Sequence, residues 1–172
     1  NISWERLEKD NHVTYPVKSE LIPGEDIIFT NGFPTSNNLA KIIPVNLINP
    51  NDELNSDFPL ILSTGRLLEH WHTGTMTRRA LVLNELEPDP MIFMNKVDSN
   101  FYNLNLNKSV IIETRRGKIS IKIRHDDDLL PGMIFLPFCF KEAAANILTN
   151  SDLDPIGKIP ELKFSAARVY QN

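Results

Sequence analysis

Ile119, Ile121 and Ile123 fall on one side of an extended chain, and Ser120, Lys122 and Arg124 fall on the other. An alternation of period two fits a strand with one buried face and does not fit a helix. Val110-Ile111-Ile112-Glu113-Thr114 precedes it, with Arg115-Arg116-Gly117-Lys118 between, so the stretch predicts a β-hairpin with Gly117 at positive φ in the turn. The remaining apolar runs are short. Pro59-Leu60-Ile61-Leu62-Ser63 runs out at Gly65, Pro90-Met91-Ile92-Phe93-Met94 is bounded by charge, and Met133-Ile134-Phe135-Leu136 follows a Pro131-Gly132 turn. Continuous apolar runs of this length between turn residues read as buried strands, and Leu162 to Val169 reads as a last one. One helix is expected, Lys141 to about Leu148, because Glu142-Ala143-Ala144-Ala145 has high helix propensity. The pattern predicts a mainly β chain with short helices, a small barrel or sandwich.

The stretch before Phe58 has a different texture. Asn1 to about Asp57 carries Pro16, Pro23, Pro34, Pro44 and Pro50, which interrupt helices and central strands alike. It reads as an irregular segment, 1–57, leading in from a preceding domain and shaped to lie against something else, with Asn46 to Asp57 as the connector. Residues 58–172 read as the folded domain. Among 172 residues there are 18 Lys and Arg against 22 Asp and Glu, a net charge of −4. That balance argues against a general binder of nucleic acid or anionic membrane and leaves room for a local anion pocket. No apolar run approaches the ~20 residues of a membrane-spanning helix. The opening Asn1-Ile2-Ser3-Trp4-Glu5-Arg6 lacks the basic start and apolar stretch of a signal peptide, and a cytoplasmic location is expected. The single cysteine, Cys139, excludes an internal disulfide and any cysteine-built metal or iron–sulfur centre within these residues.

The densest polar cluster runs from Ser63 to Arg79, STGRLLEHWHTGTMTRR. It leaves a buried strand through Gly65, which lets backbone approach a ligand closely. Hydroxyls at Thr64, Thr73, Thr75 and Thr77, exposed backbone N–H groups, and Arg66, Arg78 and Arg79 suit a phosphate-bearing ligand. The same composition also describes a solvated surface loop. The cluster is neither a Walker loop nor a Gly-x-Gly-x-x-Gly turn. His70 and His72 read as structural or hydrogen-bonding histidines rather than metal ligands, since no third ligand stands nearby. The turn Pro137-Phe138-Cys139-Phe140 leads to Asn146, whose amide can pair with a heterocycle edge. Cys139 has no base in its motif and reads as a buried thiol. A third segment, Asp154 to Lys163, reads by itself as a turn-rich loop with solvated lysines.

Taken in order, LILSTGRLLEHWHTGTMTRR, PFCFKEAAANILT and LDPIGKIPELKFSAARV resemble the C-terminal part of the molybdenum/tungsten bis-pterin oxidoreductases. The formate dehydrogenase catalytic (alpha) subunit is the nearest match, and periplasmic-type nitrate reductase is a close relative. ISWERLE, VTYPV, PGEDIIF and GFPT extend the resemblance upstream, and it is thinnest between Asn95 and Ser109. The resemblance implies a double-psi β-barrel that binds molybdopterin guanine dinucleotide, a pair of which carries molybdenum or tungsten in the complete enzyme. It implies that Thr64, Gly65, Arg66, Leu67, Leu68, Glu69, His70, Trp71, His72 and Thr73 line the pterin and its phosphates. It also implies that Asn146 and Lys163 contact the dinucleotide and that Phe138 sits near the substrate. Thr75 joins this set by its hydroxyl.

Two departures stand out. Cys139 occupies a position where the family usually carries histidine, and Asn107-Lys108-Ser109 replaces the usual Gly-Asp before the hairpin. The metal-ligating cysteine or selenocysteine, the 4Fe-4S cysteines and the first pterin-binding domains have no counterpart here. The expectation is therefore a cofactor-binding domain of a formate dehydrogenase catalytic subunit, inactive alone. Its partners would be the remaining domains of that subunit and electron-transfer subunits. The alternatives are the same domain of a nitrate reductase, a stand-alone pterin-binding module or separate subunit, and a metal-dependent hydrolase using Glu69, His70 and His72.

Overall fold

A computed structural model describes residues 1–171. Six strands, β1 (Leu60–Gly65), β2 (Met91–Met94), β3 (Val110–Thr114), β4 (Lys118–His125), β5 (Met133–Pro137) and β6 (Ser165–Tyr170), close into a barrel in the order β1-β5-β2-β4-β3-β6. The β1–β5 and β2–β4 pairs are parallel, and the other four are antiparallel. The architecture is the expected one, mainly β and closed, with short helices. The interior is filled by residues such as Leu60, Leu62, Ile92, Ile112, Ile134 and Leu136, all almost wholly buried. Each such side chain contributes about 1.5–3 kcal/mol by leaving water. Along β4, Ile119, Ile121 and Ile123 are buried while Lys118, Ser120 and Lys122 are exposed, as the alternation required.

The hairpin turn differs in its reason for glycine. Gly117 does not adopt positive φ. A Cβ there would sit 2.6 Å from Ile147 Cγ2 and 3.0 Å from its carbonyl oxygen, so the residue is small because another segment packs against it. Gly132 does take φ +88°, and Met133 N–H donates to Leu130 C=O at 3.1 Å, giving a type II turn at Pro131-Gly132.

The expected helix from Lys141 to Leu148 is instead two single 3-10 turns, Lys141–Ala143 and Ala145–Ile147, separated by an extended Ala144 (φ −63°, ψ 109°). Tertiary contacts override the propensity of the alanines. The break buries Ala143 and Ala145, and the buried Thr114 hydroxyl donates to Leu148 C=O at 2.9 Å. The last strand begins at Ser165 rather than Leu162. Helices α2 (Leu81–Leu86) and α3 (Lys96–Phe101) were not expected; α3 starts at Asn95, whose side chain accepts from Val97 N–H.

The chain divides into two compact units between Leu47 and Ile48. The first contains α1 (Trp4–Asp10), capped by Ser3, in a stretch that reads as irregular from its prolines. The Arg6 guanidinium donates to the carbonyls of Asn1, Ser19 and Ile22 and so organises the turns around it. The second unit opens with a segment pinned to the barrel. Asp52, 3% exposed, accepts from Arg115, Arg116 and the Ala166 backbone N–H. Burial pushes the Asp52 carboxyl up, but the Ala166 N–H and the two guanidinium groups outweigh it and hold the group below the usual carboxylate range. No helix among the described residues is long and apolar enough to cross a membrane.

Candidate functional site

Strand direction gathers the site. Because β1 and β5 are parallel with Gly65 opposite Pro137, the loop after β1 and the turn after β5 leave at the same rim of the barrel. β6 runs antiparallel to β1, so the residues that lead into it, Leu162 to Phe164, reach that rim as well. The three polar segments singled out in the sequence thus converge although they are distant along the chain.

Gly65 is the tightest point. A Cβ there would lie 2.4 Å from Phe135 Cε2 and 2.7 Å from Cζ. Its carbonyl accepts from Phe138 N–H at 3.1 Å, which couples the two loops. Just before it, the buried Thr64 hydroxyl donates to Leu162 C=O at 2.7 Å, and Lys163 Nζ donates to Thr64 C=O. Thr64 is therefore a structural tie between rim segments, and its hydroxyl is already committed.

Beyond Gly65 the loop curls on itself. His72 takes φ +50° and Gly74 φ +74°; a Cβ on Gly74 would lie 2.8 Å from Cys139 C=O. His70 is 1% exposed, with Nε2 2.7 Å from Glu87 C=O, Nδ1 3.3 Å from Thr77 Oγ1, and its ring edge-on to Phe140. Both ring nitrogens thus have protein partners. The Thr77 oxygen also accepts from Trp71 N–H at 3.0 Å. Glu87 in turn holds Arg124 through two contacts of 2.7 and 2.9 Å, so His70 is anchored to a rigid neighbour. This arrangement fixes the loop's inner edge and leaves its outer edge, from Trp71 to Thr73, exposed.

A cleft of about 720 Å³ lies at this rim, and Thr64, Arg66, His72, Thr73, Thr75, Phe138, Asn146 and Lys163 line it. The volume falls in the usual range for small-molecule sites. Phe138 is flanked by the His72 ring, with centroids 5.5 Å apart, and by the Arg66 guanidinium at 5.9 Å. The Thr73 and Thr75 hydroxyls are 3.1 Å apart.

The other residues expected at the site stand elsewhere. Gly65 forms the floor of the turn, Leu67 and Glu69 are half-buried, and His70 points into the protein. Leu68 and Trp71 are exposed, at 97% and 67%, and lie outside the cleft lining. Leu162, Phe140, Lys141, Ala144 and Ala145 also line the cleft and had no assigned role. Their signal was present, since each lies inside one of the resembling segments. The alanines matter by being small.

The lining offers three cations (Arg66, Lys141 and Lys163), hydroxyls, one amide and the Phe138 ring. It suits a ligand with phosphates and a heterocycle, because guanidinium and ammonium match phosphate charge and an amide matches a ring edge. Cys139 is buried and its thiol is pushed up by burial, so it stays protonated and is a poor nucleophile. Among the described residues no cluster of His, Cys, Asp and Glu could hold a metal ion.

Comparison with known proteins agrees with this chemistry. Residues 60–166, more than half of the chain, match the family model described as "Molydopterin dinucleotide binding domain". The F420-dependent formate dehydrogenase subunit alpha of Methanocaldococcus jannaschii is 39% identical over 168 residues, 98% of this chain and 25% of that protein. The F420-dependent formate dehydrogenase 1 subunit alpha of Methanococcus maripaludis is 34% identical, with the same 98% and 25% coverage. A periplasmic nitrate reductase of Campylobacter fetus is 34% identical over 134 residues, 77% of this chain and 14% of that protein. Acetylene hydratase from Pelobacter acetylenicus shares the fold, with TM-score 0.59 and 21% identity over 67% of this chain and 18% of its own. The chain therefore spans about a quarter of the length of the formate dehydrogenase subunits it matches. With this family match, and a rim cleft suited to phosphates and a heterocycle, the chain belongs to the molybdopterin dinucleotide-binding domain family of molybdoenzyme oxidoreductases.

Proposed function

We propose that this chain is the cofactor-binding domain of a formate dehydrogenase catalytic subunit and holds molybdopterin guanine dinucleotide for the oxidation of formate to CO2. The observation that carries the reading is the rim cleft, where Arg66, Thr73, Thr75, Phe138, Asn146 and Lys163 come together from three separated segments. Similarity to formate dehydrogenase alpha subunits along 98% of the chain supports the choice of enzyme. In this reading Arg66 and Lys163 neutralise phosphate charge, the Thr73 and Thr75 hydroxyls donate to phosphate oxygens, and Asn146 pairs with the guanine or pterin edge. The loop from Thr64 to Thr73 borders the pterin, and Phe138 lies on the substrate side. When bound, the cofactor supplies the two-electron chemistry through its molybdenum or tungsten, and this domain supplies binding, orientation and electrostatics.

The rest of the catalytic subunit, with its 4Fe-4S centre and metal ligand, and electron-transfer subunits are the proposed partners, in the cytoplasm. The first test is cofactor content of the full-length protein. Arg66→Ala and Lys163→Ala variants should lose pterin while keeping their thermal midpoint within a few degrees; a full pterin load in both would overturn the assignment. The 34% identity to a periplasmic nitrate reductase favours a second reading, which turnover of nitrate and not formate by the purified protein would select. A native polypeptide near 19.6 kDa on immunoblots would favour a separate pterin-binding subunit.

A further inference from the structure

Residues 41–47, within the first compact unit, run without a helix, turn or bend, and none takes a positive φ. Ile42, Ile43 and Val45 are β-branched, which suits a strand. Among the described residues, no backbone N–H or C=O of this stretch has a backbone partner. Ile42, Ile43, Val45 and Leu47 are between 65% and 100% exposed. In a strand the N–H and C=O of one residue point to the same side, and those of the next residue point to the opposite side. Side chains alternate between the two faces in the same rhythm. Pro44 has no N–H, and a proline within a strand sits where its nitrogen faces away from the ladder. It therefore closes the edge that it shares with Ile42 and Asn46. The other edge belongs to Lys41, Ile43, Val45 and Leu47. Folded proteins guard free edges with charge, bulges or proline. On this edge the single charge is Lys41, at its start, and Ile43, Val45 and Leu47 set an unbroken apolar row on one face.

An extended, apolar stretch that is open along one edge and closed along the other is suited to joining the end of a sheet, not to insertion between two strands. We propose that residues 41–47 form an edge strand on a sheet in the rest of the catalytic subunit, bonded through Ile43, Val45 and Leu47, with Pro44 facing away from the ladder. The choice of partner rests on the formate dehydrogenase reading above. The domain family accounts for residues 60–166, whereas similarity to the formate dehydrogenase alpha subunits spans 98% of the chain and so takes in this stretch. In those subunits the matching part is 25% of the length, and the remainder supplies the sheet.

The test is amide hydrogen exchange at single-residue resolution on the full-length protein. Ile43, Val45 and Leu47 should exchange about a hundredfold more slowly than in an unstructured peptide, and Ile42 and Asn46 at close to the free rate. Val45→Pro should abolish the protection at Ile43 and Leu47, and Asn46→Pro should keep it, because only the first removes a bonded donor. Both variants insert the same ring one residue apart, so an opposite response cannot come from proline as such. The alternation in the parent protein decides the matter even where Val45→Pro fails to fold. Free exchange throughout 41–47, protection at Ile42 and Asn46, or an equal response to the two prolines would overturn the proposal. Protection that appears only as the protein dimerises at higher concentration would also overturn it, by assigning the strand to a second copy. Alternating protection in a protein without pterin or formate turnover would keep the strand and remove the enzyme assignment. Formate turnover with free exchange over 41–47 would do the reverse.

Discussion

Replacing Asp52 by alanine isolates the contact that fastens the segment before the barrel. The carboxylate is 3% exposed and accepts from Arg115 Nη1, Arg116 Nη1 and Ala166 N–H. Deleting one partner of a buried ion pair costs about 3–5 kcal/mol because the other charge is left unpaired. Here the side chains of Arg115 and Arg116 keep 34% and 27% exposure, so water takes up part of their charge once Asp52 is gone. The expected cost of Asp52→Ala is therefore lower, about 2–3 kcal/mol. Asp52→Asn keeps an acceptor for the Ala166 N–H and should cost about 1–2 kcal/mol.

The pH dependence follows from the depressed carboxyl. Asp52 titrates lower in the folded chain than in the unfolded one, so its stabilisation is fully present above the unfolded value of about 4. It is lost as pH falls through the folded value. Urea unfolding followed by circular dichroism should show the gap between parent and Asp52→Ala at pH 7. The gap should close progressively as the pH drops below about 5. A gap under about 0.5 kcal/mol at pH 7, of the size seen for surface substitutions, or one that widens on acidification, would refute the reasoning.

Gly65→Ala should destabilise by about 1–3 kcal/mol, because the new methyl meets the Phe135 ring; a thermal midpoint equal to the parent's would mean that ring moves freely. Thr114→Val removes the buried hydroxyl that serves Leu148 C=O and should cost about 1–3 kcal/mol. Its amide exchange should quicken selectively over Ala145 to Thr149, and uniform exchange along the chain would contradict the assignment. His70→Ala vacates a buried ring with two polar partners, so it should loosen the Arg66–Thr77 loop and reduce pterin retention in the full-length protein. Protease cleavage confined to that loop would report it, and an unchanged cleavage pattern would count against the anchor.

The strands were legible because each carries its own pattern: alternation in β4, and short apolar runs in β1, β2 and β5, bounded by Gly65, Pro90 and Gly132. Local signals also existed for two of the helices that were not expected. Ser3 before Trp4 and Asn95 before Lys96 are ordinary N-caps, but surrounding prolines and asparagines obscured them. α2 had no such signal, since no side chain caps it and none of its residues is buried. The alanines after Lys141 misled in the other direction, because backbone propensity yields where Gly117 and Thr114 hold the segment against the barrel. Asp52 was illegible because its partners lie more than 60 residues away. The rim cleft was legible only as separate segments. That His70 turns inward while His72 turns to the cleft depends on a positive φ and on Glu87, which no local pattern encodes.

The barrel's strand directions have one more consequence. The ends of β1, β3 and β5 and the starts of β2, β4 and β6 share the rim that holds the cleft, so Leu129 to Gly132 and Asn103 to Ser109 lie at the other. The second of these segments falls where the resemblance to relatives is thinnest. A dye, an affinity handle or an electrode linker attached at Lys108, which is exposed, would point away from the cleft and leave its mouth open. The barrel thus has a cleft end and a handling end, and an attachment confined to the latter holds the molecule with its cleft facing outward.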